Sequence, residues 1–139
     1  MLVDDYLARF DRTGRALGLG PATEHEVEDR KGGGMVAEAT LLARAIPAAA
    51  AVIALDERGR EMTSPDFADL LARFRDAGRQ DAALVIGGAD GLAPELRHGA
   101  DAVLSFGPMV WPHMLVRVMV AEQLYRAASI LSGAPYHRV

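Results

Sequence analysis

The chain has 139 residues, 50% hydrophobic and 24% charged, which suits one compact domain large enough to bury a core. It contains no cysteine, which excludes a disulfide framework and a thiolate zinc site and suits a reducing compartment. Its net charge of −4 argues against a broad non-specific nucleic-acid binder, while leaving room for recognition through a local patch.

The first residues, Met1-Leu2-Val3-Asp4-Asp5, carry no basic segment ahead of an apolar one, so no signal peptide is expected. Leu2, Tyr6 and Phe10 recur at i, i+4 and i+8 and predict a short helix over 2–12. Thr13-Gly14 and Gly18-Leu19-Gly20-Pro21 read as loop. From Thr23 to Asp29 polar and apolar residues alternate around His25 and Val27, predicting a strand with an acidic outer face. Lys31-Gly32-Gly33-Gly34 reads as a connection, and the alanine- and leucine-rich stretch from Met35 to Ala45 predicts a helix ended near Pro47.

The longest apolar stretch, Ile46 to Leu55, is too short to span a bilayer and contains Pro47, so a soluble cytoplasmic protein without membrane partners is expected. Within it, Ala50 to Leu55 predicts a strand buried on both faces and stopping at Asp56-Glu57-Arg58-Gly59. Ser64-Pro65-Asp66 predicts a helix start with Ser64 as the N-cap, followed by Phe67, Leu70, Leu71 and Phe74 on one face and closed by Gly78. A second buried strand is predicted over Ala82–Ile86, ending in Gly87-Gly88-Ala89-Asp90-Gly91, then a helical turn over Ala93–His98 and a third strand over Ala102–Ser105. Pro112 opens a long helix predicted to run to about Leu131, and Gly133-Ala134-Pro135-Tyr136-His137-Arg138 forms a tail. Alternating strands and helices imply an α/β fold, a parallel sheet flanked by helices, in a single domain over 1–139.

In open α/β sheets a ligand sits outside the carboxyl ends of the strands, here Leu55-Asp56, Gly87-Gly88 and Ser105-Phe106-Gly107-Pro108. The glycine run at 87–91 lets a ligand approach bare backbone and equally suits an ordinary tight turn; its spacing is not a dinucleotide fingerprint. Trp111, the only tryptophan, reads either as a core anchor or as a ring in the loop that opens the long helix. His113 reads either as a structural histidine or as a ligand contact. Arg117 shares a helical stripe with Ala121, Leu124, Ala128 and Leu131, and a cation there needs a partner, a ligand or another subunit. Glu122 and Arg126, spaced i, i+4, read as a solvated pair on the polar face. The tail places a ring, an imidazole and a guanidinium in Tyr136-His137-Arg138, a set suited to stacking on a base and holding phosphate, though chain ends commonly fray. No Ser-His-Asp elbow, HExxH or P-loop is present, and four scattered histidines give no reason to expect a metal.

Several of these pieces stand in order: Leu55-Asp56-Glu57-Arg58-Gly59, Ile86-Gly87-Gly88-Ala89-Asp90-Gly91, Pro112-His113-Met114-Leu115-Val116-Arg117-Val118, Glu122-Gln123-Leu124-Tyr125-Arg126-Ala127 and Pro135-Tyr136-His137-Arg138. Together they closely resemble the bacterial large-subunit rRNA pseudouridine N3-methyltransferases, small enzymes of the SPOUT class, over roughly residues 2–139. The resemblance implies a C-terminal trefoil knot, an exception to the rule against knotted chains. It also implies a homodimer and S-adenosylmethionine as cofactor, held by Leu55, Gly88 and the run Phe106, Gly107, Pro108, Met109, Val110 and Trp111. Backbone groups there would read adenine; Val110 stands where family members often carry a hydroxyl residue.

The implied substrate is a pseudouridine in a 23S rRNA stem-loop at the ribosomal subunit interface, recognised on the assembled ribosome. Its N3 is an imide nitrogen whose proton a base must take, and His137 is the candidate, with an imidazole that titrates near working pH. Tyr136 and Arg117 complete the implied catalytic set, with Arg138 and His113 as substrate contacts. The family begins with a β-strand and a glycine-containing turn ahead of the helix that here starts at Leu2, so the chain is expected to lack that strand and to be less stable for it. A SPOUT enzyme acting on another RNA such as tRNA, and a non-catalytic ribosome-binding module on the same fold, remain open beside this reading.

Overall fold

A computed structural model describes residues 2–27, 34–87 and 91–136. The chain divides into two compact units, one of Met1–Glu24, Met62–Gly78 and Met114–Val139, the other of His25–Glu61 and Arg79–His113.

The second unit carries the sheet. Its elements are α2 (Gly34–Ala45), β1 (Ala51–Glu61), β2 (Ala82–Ile86), α4 (Pro94–His98) and β3 (Ala102–Ser105). The strands lie in the order β2-β1-β3, and both pairings are parallel. β1 is central, which is why its sequence is apolar on both faces: Ala51, Ile53, Ala54 and Leu55 are all buried. Ala54, Val85 and Leu92 form a core cluster, and Leu42 and Ile46 from α2 and its end pack against it together with Leu96 of α4.

One boundary differs from expectation. β1 does not stop at Asp56 but continues to Glu61. The chain leaves the ladder after Leu55 and rejoins it at Arg60, so that Leu104 of β3 is paired by both Leu55 and Arg60. Asp56 Oδ1 accepts a hydrogen bond from the Arg58 amide at 2.8 Å, which curls the excursion. Gly59 lies so close to β3 that a Cβ on it would sit 2.6 Å from the Val103 carbonyl oxygen. The extension is held by backbone pairing beside polar side chains, a pattern that hydropathy does not register.

The first unit is helical, with α1 (Leu2–Gly14), a single 3₁₀ turn at Arg15–Leu17, α3 (Ser64–Asp76) and α5 (His113–Ser132). The N-cap of α3 is Thr63, not Ser64: its hydroxyl accepts from the Asp66 amide, and the Asp66 carboxylate accepts from the Thr63 amide, a reciprocal capping box. Ser64 is thereby released to donate to Gln123 Oε1 at 2.8 Å. Phe67, Leu70 and Leu71 of α3 and Val120, Ala121, Leu124, Ala127 and Ala128 of α5 are buried, as their spacing requires.

The strand expected from Thr23 is not formed: residues 23–27 are irregular, and 28 and 29 lie outside the described residues. Of its side chains Glu24 is taken up by Arg117, and the preceding residue, Ala22, donates its amide to Asp11 Oδ1 at 2.8 Å. Among the described residues no helix is long and apolar enough to cross a membrane.

Candidate active site

The strand register builds the first part of the site. Leu55 of β1 is paired with Ile86 of β2 on one side and with Leu104 of β3 on the other. The apolar part of all three strands therefore ends level, and Asp56, Gly87 and Ser105–Gly107 follow from one edge. That edge is where a parallel sheet offers unpaired backbone to a ligand.

Each segment at the edge is shaped by local chemistry. A Cβ on Gly87 would lie 2.6 Å from the Gly91 carbonyl carbon and 2.8 Å from the Leu92 nitrogen, so the return of this loop admits only glycine there. Gly88, its expected cofactor contact, lies outside the described residues. After β3, the Ser105 hydroxyl donates to the Gly107 carbonyl at 2.9 Å and accepts from the Gly107 amide at 3.0 Å. Gly107 has φ +112, a conformation that favours glycine. Phe106 and Gly107 are half-buried, and from Pro108 onward the loop is exposed.

Trp111 is 39% exposed, beside exposed Met109 and Val110, which rules out its reading as a core anchor. His113, the first residue of α5, is exposed. The side chain of Asp56 is only 7% exposed; Arg97 Nη1 of α4 approaches its Oδ2 at 3.7 Å and Arg58 Nη1 its Oδ1 at 3.5 Å. Arg97 had no functional reading in sequence, and Asp56 was read only as part of the Leu55-Asp56 strand end. Beside this backbone the apolar side chains of Met109, Val110 and Trp111 are exposed, while Leu55 is buried.

In the helical unit Arg117 finds the partner that its apolar stripe demanded. Its Nε donates to Glu24 Oε2 at 2.6 Å and its Nη2 to Glu24 Oε1 at 2.8 Å, the two-point geometry of strong guanidinium–carboxylate pairs. The hydrogen bond from Arg117 holds the Glu24 carboxyl below the usual carboxylate range, against the opposing effect of burial.

Tyr136 is likewise fixed from α5. Its hydroxyl donates to Glu122 Oε2 at 3.1 Å, and its ring lies 4.4 Å from that of Tyr125, which in turn is 6.4 Å from Tyr6. Glu122 also accepts from Arg126 Nε at 3.0 Å and Nη2 at 2.6 Å, and the Arg126 guanidinium sits 5.1 Å from the centre of the Tyr136 ring. Glu122 and Arg126 are thus not a solvated pair: their side chains are 18% and 21% exposed. Burial, together with hydrogen bonds to Tyr6 and Glu122, pushes the Tyr136 phenol up to about 12, so the group is a donor and not a base at neutral pH. His137 and Arg138 lie outside the described residues. The sheet edge thus gathers Leu55, Phe106–Trp111 and His113 in one unit, while Arg117 and Tyr136 belong to the other. Among the described residues no group of three or more His, Asp or Glu is placed to hold a metal ion.

A family model described as "Predicted SPOUT methyltransferase" matches residues 1–137. Proteins called "Ribosomal RNA large subunit methyltransferase H" from Ruegeria pomeroyi, Dinoroseobacter shibae and Cereibacter sphaeroides are each 70% identical over 138 residues, covering 99% of this chain and 88% of theirs.

Proposed function

The chain belongs to the SPOUT methyltransferase family, and from that premise we propose that it methylates N3 of a pseudouridine in a 23S rRNA stem-loop, with S-adenosylmethionine as donor. The observation that supports this reading is the level edge where Leu55, Ile86 and Leu104 are in register, so that three strand ends stop together. Relatives of 70% identity named as large-subunit rRNA methyltransferases support the substrate class. The family match spans both compact units, which supports one functional domain over 1–139.

Leu55, Gly88 and Phe106–Trp111 would hold the cofactor, through backbone groups and apolar walls. When bound, S-adenosylmethionine supplies a methyl group on a sulfonium, a good leaving group. The chain's own part is then to place the nucleotide, exclude water and take one proton. His137 takes the proton from N3; Arg138 and His113 hold the RNA; Arg117, paired with Glu24, would contact substrate, cofactor or partner subunit only by sharing or exchanging that carboxylate. Proximity contributes most of the acceleration and acid–base help a smaller part. Tyr136, protonated at working pH, serves this site as a donor and a ring and not as a base.

The same reading includes a C-terminal trefoil knot, a homodimer, a cytoplasmic setting and recognition of the assembled ribosome. The exposed apolar run Met109, Val110 and Trp111 supports an edge completed by cofactor and a second subunit. The deciding experiment incubates the protein and S-adenosylmethionine with ribosomes lacking only this modification, followed by nucleoside mass spectrometry. One added methyl on a pseudouridine of 23S rRNA is expected. Absence of transfer to ribosomes, or transfer to tRNA alone, would overturn the assignment.

A further inference from the structure

The segment that follows Leu55 lies outside the ladder, because β1 departs after Leu55 and pairs with β3 again only at Arg60. Its shape rests on one carboxylate. The Asp56 side chain is withdrawn from solvent, and its Oδ1 accepts from the Arg58 amide at 2.8 Å. Its Oδ2 faces Arg97 Nη1 at 3.7 Å, and the Arg97 side chain is itself largely buried. Arg97 stands on α4, whose Leu96 packs against the cluster of Ala54, Val85 and Leu92. Leu92 and Gly91 in turn crowd Gly87, the first residue after β2. The ion pair therefore ties the exit of β1 to the helix that follows the return at Gly91-Leu92.

We propose that Arg97 is a positioning residue for the cofactor edge, holding the backbone after Leu55 in place through Asp56. This deepens the methyltransferase reading and rests on it. An exposed ion pair would contribute little, but a carboxylate withdrawn from water needs its cation, and losing that partner costs more than the pair contributes. Without Arg97, Asp56 regains solvation by turning outward, and that movement breaks its hydrogen bond to the Arg58 amide. Arg58 is a poor substitute: its side chain is 64% exposed, and it approaches Oδ1, the oxygen that already serves the amide. Leu55 directly precedes Asp56 and is the residue whose backbone the methyltransferase reading sets against the cofactor. Affinity for the methyl donor, rather than for RNA, is therefore what responds to Arg97.

The test uses the full chain with Arg97→Met, Arg97→Lys, Asp56→Asn and the double substitution of Arg97→Met with Asp56→Asn. By titration calorimetry, affinity for S-adenosylmethionine should fall about tenfold in Arg97→Met and at least about threefold in Asp56→Asn. Arg97→Lys, which keeps a cation on a long stem, should recover most of the loss. KM for ribosomes should stay within about twofold and kcat at saturating S-adenosylmethionine within about threefold, a split that general loosening of the fold would not give. The double variant should be no worse than Arg97→Met, because both substitutions remove one connection. Asp56→Asn keeps the side-chain shape and an acceptor for the Arg58 amide, so it decides the matter should Arg97→Met not fold. A second readout needs no cofactor: the Arg58 amide should exchange with solvent about tenfold faster in Arg97→Met than in wild type. Unchanged cofactor affinity in either folded single variant, additive losses in the double, or a loss shared equally by ribosome binding would overturn the proposal. A wild type that binds no S-adenosylmethionine, with the Arg58 amide still freed in Arg97→Met, would sink the methyltransferase reading and the cofactor role with it, leaving only the tie between β1 and α4.

Discussion

Arg117 and Glu24 stand 93 residues apart in the chain and meet in a two-point ion pair, at 2.6 and 2.8 Å. Both side chains are about one-third exposed, so water screens the pair and its net worth is modest, about 0.5–1 kcal/mol. Glu24→Gln should lower the unfolding free energy by that amount near neutral pH. The pH dependence has a definite sign. The Arg117 hydrogen bond depresses the folded pKa of Glu24, so the pair's contribution is present above the unfolded value of about 4.3 and is lost as pH falls through the folded value. Urea unfolding across that range should show the wild type and Glu24→Gln converging in acid. A difference that stays constant with pH would show that Glu24 is not ionised in the pair.

Asp101 ties the starts of β1 and β3 together. Its amide donates to the Val52 carbonyl at 2.8 Å, and its Oδ2 accepts from the Val52 amide at 2.8 Å. Arg79 spans the same corner, donating to Asp101 at 3.2 Å and to the carbonyls of Ala49 at 3.3 Å and Ala50 at 3.0 Å. The Val52 hydrogen bond first, and Arg79 second, hold the Asp101 carboxyl below its ordinary value. Asp101→Ala should therefore cost about 1–2 kcal/mol, after discounting for a partly exposed site. Asp101→Asn should cost less, since it keeps an acceptor for Val52. The carboxylate's share is present above the unfolded pKa near 3.9 and disappears below the folded one, which thermal melts at descending pH will resolve.

The strands at Ala82–Ile86 and Ala102–Ser105 were legible residue for residue, because buried parallel strands require short apolar runs between polar or glycine breaks. The strand ends Leu55-Asp56, Gly87-Gly88 and Ser105–Pro108 followed from the topology, whereas the longer run Phe106–Trp111 came only from the family resemblance. The misses share a cause. The extension of β1 past Asp56 rests on backbone pairing with Leu104, and the alternation from Thr23 found no ladder to join. Glu24 with Arg117, Glu122 with Tyr136, and Arg97 beside Asp56 matter through partners distant in sequence or on another element. A pattern along one segment reports how that segment is buried, and does not report which side chain will meet it.

Gly59 is the residue that lets β1 rejoin β3. A Cβ there would meet the Val103 carbonyl oxygen at 2.6 Å and carbonyl carbon at 2.7 Å, backbone atoms that cannot rotate aside. Gly59→Ala should destabilise the protein by about 1–3 kcal/mol, the usual cost of forcing a group into packed structure. Equilibrium denaturation measures this directly. A neutral substitution would mean that the Leu55–Arg60 excursion is free to widen, and that the edge beside Leu55 is softer than its register implies.

Tyr136 titrates in a way that separates its surroundings from those of an exposed phenol. Burial raises its pKa most, the hydrogen bonds to Tyr6 and Glu122 add to it, and the value reaches about 12 from a reference of 10.0. Because the folded value is the higher one, the protonated phenol contributes stability fully below pH about 10, and that contribution is lost as pH rises toward 12. The chain has three tyrosines, so ultraviolet absorbance of tyrosinate should contain a step near 12 that Tyr136→Phe removes. Glu122→Gln should lower that step only in part, since burial remains after the carboxylate is gone. The same protonation state bears on activity: no alkaline limb in the pH–rate profile between about 7 and 10 should be traceable to Tyr136. An alkaline limb in that range that vanishes in Tyr136→Phe would place the phenol in the proton transfer itself, and would take the role of base away from His137.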